Sequence, residues 1–250
     1  MWVQPDLDED DKSASTPTRS RTILVGVLAG VIVIVIGGGV TAWALTKSHA
    51  VTTSPGPEGV VVRHVPDLAG ASPTLRGQPV DGITCRAENK EIVHFHTHTY
   101  VSVYVNGAER RLPAGIGITE PSVVEHFSTG PFIDVGLHDC LYWIHTHAHD
   151  GIVHVESPTK LALTLGDLFD IWGQPLNATH VGPATGTVVV LENGHMITGN
   201  VRSVPLLDHA AIQIDVGSPI ARFRPFTFKV SGGCGQGTLT CSGTTTTTVH

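Results

Sequence analysis

The sequence predicts an α+β domain, mainly antiparallel sheet with hairpins and one packed helix, preceded by one transmembrane helix. Three observations lead there. They are an uncharged apolar run over 22–45, alternating apolar and polar residues that run into Asn-Gly pairs, and one segment of helical period with stop signals at both ends. Of the 250 residues, 41% are hydrophobic and 15% charged, which is enough apolar material for one substantial core and lies outside the disordered range. The formal net charge of -7 offers no basic footprint for a phosphate backbone and argues against nucleic acid as a partner.

Residues 1–21 combine the acidic run Asp6 to Asp11 with Ser, Thr and Pro, a composition that cannot bury a core and predicts a disordered tail. The apolar run 22–45 then reaches the roughly 20 residues that cross a bilayer. Arg19 and Arg21 precede it and only Lys47 follows closely, so the expected topology is a single pass with the N-terminus cytoplasmic and the C-terminal domain extracytoplasmic. Ala42-Trp43-Ala44 has the shape of a signal cleavage site. The run is longer than the roughly 7 to 15 apolar residues of a signal core, so the retained anchor is preferred. Residues 46–80, rich in Pro, Gly, Ser and Thr, read as a stalk, and 231–250 as a Gly/Thr-rich tail.

Between them, 81–230 reads as the extracytoplasmic His-rich domain. Val101, Val103 and Val105 alternate with Ser102 and Tyr104 and meet Asn106-Gly107, a strong two-residue hairpin signal. Val188 to Glu192 before Asn193-Gly194 repeats the pattern, and Ala211–Val216 and Phe226–Val230 read as later strands. The helix is expected after Thr164, where Thr164-Leu165-Gly166-Asp167 fits a capping box. Leu165, Leu168, Phe169 and Trp172 make its apolar stripe, a core face, and Gly173 and Pro175 stop it. Export permits disulfides among Cys85, Cys140, Cys234 and Cys241. Of the three possible pairings, Cys85–Cys140 with Cys234–Cys241 is favoured, and cysteine ligation of a metal is disfavoured because CxxC spacings are absent.

The chemistry-bearing feature is a set of histidines at two-residue spacing. His94-Phe95-His96-Thr97-His98 is the first run, and His145-Thr146-His147-Ala148-His149, followed by His154, is the second. In a strand, residues i and i+2 share a face, so parity puts His94, His96 and His98 opposite Val101 and Val103, on an open or cleft-facing surface. In the second run, a two-residue turn at Asp150-Gly151 would pair His147 with His154 and His145 with Glu156. His145, His147, His154 and Glu156 would then form a three-nitrogen, one-oxygen site suited to zinc or copper(II). His94, His96 and His98 would complete it or form a second ligand set, with Tyr142, Trp143, Asp139 and Asp150 as outer partners.

These residues also carry a resemblance. His94-Phe95-His96-Thr97-His98 with Val103-Tyr104-Val105-Asn106-Gly107, Leu112 to Ile118, Cys140 to His147, Gly151 to Pro158 and Leu165 to Gly173 together resemble a group of exported or membrane-anchored bacterial and archaeal proteins. The resemblance covers about 81–228 and implies one coherent domain, without implying an activity. Members more often carry Asp directly after the second His of the His-Thr-His segment, whereas here Ala148 and His149 intervene before Asp150. The order of elements faintly resembles β-grasp domains.

Three functions are compatible with the residues. The first is transition-metal capture, buffering or delivery by a membrane-anchored domain. The second is a metal-dependent hydrolase or oxidoreductase with Glu156 or Asp150 as general base, and the third is an interaction module whose histidines bind no metal. No G-x-S-x-G elbow, P-loop or dinucleotide fingerprint is found in the exported part, so enzyme status is left open. The expected partners are therefore a metal ion and, through 22–45, the lipid bilayer.

Overall fold

A computed structural model describes residues 53–71, 76–87, 90, 92–137, 139–229 and 246–248. The apolar run 22–45, the acidic tail and the Cys234–Cys241 pairing lie outside the described residues. Among the described residues, no helix is long and apolar enough to cross a membrane.

The architecture is α+β, built on a mixed seven-stranded sheet. Its order runs His195–Met196, Val188–Glu192, Ala211–Val216, Phe95–Val105, Ile152–Ser157, Ile144–His145, with Ala108–Arg110 paired to the far end of Phe95–Val105. Phe95–Val105 and Ala211–Val216 are parallel at the centre, and the other ladders are antiparallel. The parallel pair makes the sheet mixed rather than wholly hairpin-built. Both Asn-Gly hairpins form as expected, with φ of 50° and 75° at Asn106 and Gly107 and 51° and 84° at Asn193 and Gly194. Positive φ at both central residues is what the tight twisted hairpin requires.

The helix Leu165–Trp172 starts where the capping box places it. The Asp167 amide donates to the Thr164 hydroxyl at 3.3 Å, and the Thr164 amide donates back to the Asp167 carboxylate at 2.7 Å. Gly173 ends it at φ 69°, the left-handed C-cap. Leu165, Leu168, Phe169 and Trp172 are buried together with Ile171, against Val101 and Val103, Val153 and Val155, and Ile212 and Ile214 of the sheet. Full burial of each such side chain contributes about 1.5–3 kcal/mol, an upper figure because unfolded chains are partly compact. The valine parity of the first strand is thus the core parity.

Part of the segment read as a stalk packs on this core. Thr53–Pro55 and Val61–Arg63 pair as a hairpin, Val62 and Leu68 are buried, and the Trp172 indole donates to the Gly70 carbonyl at 2.8 Å. The opposite sheet face is also covered. The chain after Val216 folds back over it, with the Ala221 amide donating to Asp215 at 2.7 Å and the Phe226 ring stacked on Tyr100 at 3.9 Å. Gln213 and Asp215 are buried there because backbone amides satisfy their side chains. Thr227–Lys229 lies in the expected late strand and pairs with Thr246–Thr248 in the threonine run, where no element was expected.

A disulfide joins Cys85 and Cys140 across 55 residues, as favoured from the sequence. It adjoins the short ladder in which Cys85–Arg86 pairs with Leu141–Tyr142 and leads into the second histidine run.

Candidate metal centre

The site is assembled from two facing strands, a third beside them, and two loops. Phe95–Val105 presents His96 and His98 on one face, and Ile152–Ser157 presents His154 and Glu156 on the same face. The antiparallel register sets His154 opposite His98 and Glu156 opposite His96. Directly opposed residues stand roughly 4.5–5.5 Å apart at Cβ, so four donors meet without any loop having to close.

The expected pairing of the second run is corrected by the register. Ile144–His145 pairs with Ile152–Ser157 so that His145, not His147, opposes His154, and Ile144 opposes Val155. The place across from Glu156 is held by Trp143, whose carbonyl accepts from the Glu156 amide at 2.8 Å. The Asp150-Gly151 turn is therefore not a two-residue hairpin. Thr146 is drawn off the ladder by the Pro113–Ile116 loop: its amide and hydroxyl donate to Ile116 and Pro113 carbonyls, and its own carbonyl accepts from Gly115. The His147 carbonyl accepts from the Ile133 amide at 2.8 Å, which continues the detour.

His147 still reaches the cluster, from the loop. Donor atoms of His145, His147 and His154 lie within 4.8 Å of one another, and so do those of His96, His98 and His154. These two histidine groups could hold a metal ion. Glu156 Oε1 stands 3.0 Å from His96 Nε2, 3.8 Å from His154 Nδ1 and 3.9 Å from His145 Nε2. His94 is not brought in: it is exposed just before the strand and its amide donates to the Ser157 carbonyl. His149 turns away to Asp67, at 3.1 Å.

The first run keeps an open face at His94 and His96, both exposed, whereas His145 and His154 of the second are buried. His145 is 0% and His154 8% exposed, while the His96 side chain, 46% exposed, faces solvent. A hairpin of Ser122–Phe127 and Gly130–Val135 covers one side, with Phe132 stacked on His147 at 5.0 Å. From the other side comes Glu58, at the turn of the hairpin 53–63, whose Oε1 lies 2.7 Å from His154 Nε2. Glu58 was not anticipated. Its only sequence signal is the turn chemistry of Pro55-Gly56-Pro57-Glu58-Gly59 before Val60 to Val62, which marks a hairpin and says nothing about where it docks.

Ring tautomers follow from the backbone. His145 Nδ1–H donates to the Tyr142 carbonyl at 2.8 Å, and His147 Nδ1–H donates to the Ile133 carbonyl at 2.6 Å. Both Nε2 atoms are left as lone-pair donors, the arrangement that orients metal-ligating histidines. His145 Nε2 is buried and has no hydrogen-bond partner.

Burial lowers the basicity of His98, His145 and His147. It holds His98 at about 3, helped by the neighbouring His154 and His96, and drives His145 well below its ordinary value, helped by His147 and His154. Burial works the same way on His154, but the neighbouring carboxylates of Glu156 and Glu58 outweigh it and hold the ring up at about 9. Burial would raise Glu58, yet the hydrogen bond and charge of His154 bring it down to about 2, and Glu156 is held below the carboxylate range by His154 and His96. Asp150 is raised well above its ordinary value by burial and by the neighbouring Glu58 carboxylate. Burial thus disfavours protonation of His98, His145 and His147, whereas Glu156 and Glu58 favour it at His154.

No family model matches the chain, and searches of curated proteins and of solved structures find no match. The class these observations define is an α+β domain with a clustered-histidine centre.

Proposed function

We propose that this protein binds a transition metal ion, zinc or copper(II), through His145, His147 and His154 with Glu156, His96 and His98 adjoining, for capture, buffering or delivery. One observation carries the reading. The Nε2 of His145 is fully buried, lacks a hydrogen-bond partner, and has its ring fixed by a carbonyl on the other nitrogen. Leaving such an atom unpaired costs about 1–3 kcal/mol, a cost that a metal ion removes.

The donor chemistry supports these metals. Imidazole and carboxylate suit zinc and copper(II), whereas thioether-rich copper(I) sites need methionines, and the chain has two, Met1 and Met196. The Cys85–Cys140 disulfide takes both cysteines near the cluster and leaves no thiolate there for a blue-copper centre. That disulfide also supports an oxidising compartment, and with the apolar run 22–45 it supports a domain anchored in the bilayer on the extracytoplasmic side. The parallel central pair supports the β-grasp-like reading of the sheet.

The test is metal content of the full chain after loading with zinc or copper(II) and passage over a chelating resin, wild type against His145→Ala/His147→Ala. Retained metal in the wild type and its loss in the double variant is expected. Equal retention in both, or none in the wild type, refutes the reading.

A further inference from the structure

The donors outnumber what one tetrahedral ion takes. Zinc accepts four ligands in a protein site, and here five imidazoles and one carboxylate converge. They are not one group. Mutual distances within 4.8 Å divide them into His96 with His98 on one side and His145 with His147 on the other, and His154 belongs to both sets. The division follows from the fold, because the first pair sits on the strand facing His154 and the second on the strand and loop behind it.

Two contacts say how the shared groups are allotted. His154 Nε2 is occupied by Glu58 at 2.7 Å, so Nδ1 is its free donor, and Nδ1 lies 3.4 Å from His96 Nε2. Ligands bonded at about 2.0–2.1 Å in a tetrahedron stand about 3.3 Å apart, so this spacing already matches one edge of a zinc polyhedron. Glu156 lies between the sets, with Oε1 3.0 Å from His96 Nε2 and 3.9 Å from His145 Nε2. A carboxylate has enough lone pairs to serve two ions at once.

From this geometry we infer that the cluster is a two-metal centre, with one ion on His96, His98 and His154 Nδ1, the other on His145 and His147, and Glu156 bridging them. The inference rests on the metal-binding reading above and goes beyond it in number, allotment and bridge. Carboxylate-linked ions in such centres stand about 3.5–4 Å apart. The ion on His145 and His147 has two imidazoles and the shared carboxylate, which leaves it a coordination position for water or an incoming ligand.

The test uses the full chain, stripped with chelator, titrated with copper(II) or zinc, passed over a chelating resin and analysed for metal. Two retained ions per chain are expected, falling to one in His98→Asn and to one in His147→Gln. Electron paramagnetic resonance of the copper(II)-loaded wild type is expected to show spin-coupled pairs, which requires no variant to fold. Saturation of the wild type at one ion overturns the inference while leaving the metal reading standing. Two ions without magnetic coupling overturn the bridge, and no retained ion overturns the metal reading itself.

Discussion

Acidification is the perturbation that the cluster resolves most sharply. With chelator present, burial and neighbouring positive charge disfavour protonation of His98, His145 and His147 in the folded chain, most strongly at His98 and His145. The unfolded chain protonates all three near their ordinary value of 6.5. Below that value the unfolded state binds more protons, so stability falls as pH falls. Asp150 works the other way, since its raised acid form favours the fold on acidification, and it offsets up to one of the three. At 1.36 kcal/mol per proton and pH unit, a difference of one to three protons gives a slope approaching about 1.4–4.1 kcal/mol per unit toward pH 5.5. His154 has the opposite sign: its contribution is complete below about 6.5 and is lost as pH rises through about 9. The metal-free protein should therefore be most stable near pH 6.5. The assay is denaturant unfolding of the full chain with EDTA, pH 5.5 to 8.5, followed by fluorescence of the buried Trp172. His98→Asn should reduce the acid-side slope by about one proton, about 1.4 kcal/mol per unit. A stability that is flat or rises from pH 6.5 to 5.5 refutes the disfavoured protonation of the buried histidines.

Three further outcomes are expected. Glu58→Gln keeps the side-chain volume but weakens the grip on His154 Nε2, and zinc affinity by competition with a chromogenic chelator should fall about 10- to 100-fold, with an unchanged value showing that Glu58 does not orient the ligand. Cys85→Ser/Cys140→Ser opens a loop of 55 residues, and the unfolding free energy should drop by up to about 4 kcal/mol on the chain-entropy account, measured by urea titration. Thr164→Ala removes the cap at the start of the helix and should cost about 1 kcal/mol in the same titration, with no change in zinc affinity.

The legible parts of the fold are those where local chemistry and periodicity agree. Thr164, Asp167 and Gly173 announce a helix because caps are satisfied within a few residues of chain. Asn106-Gly107 and Asn193-Gly194 announce hairpins because positive φ is costly elsewhere. Strand parity also carried into the site, since His96 and His98 must oppose Val101 and Val103 in any regular strand.

The register around His145 was not legible. A two-residue turn at Asp150-Gly151 satisfies local rules, but hydrogen bonds from Thr146 and His147 to the Pro113–Ile116 loop and to Ile133 compete with it and win, because buried backbone groups far apart in sequence must be paired. The approach of Glu58, 96 residues from His154, is likewise a consequence of docking, for which a Pro/Gly-rich stretch carries no pattern. By itself, then, the sequence determined the donor chemistry, the helix, the hairpins and the face on which the first histidines lie, all set by interactions a few residues long. Only the tertiary structure decided that both histidine runs meet at His154, that Glu156 stands between them, and that the centre is buried, because these depend on pairings whose partners are distant in the chain.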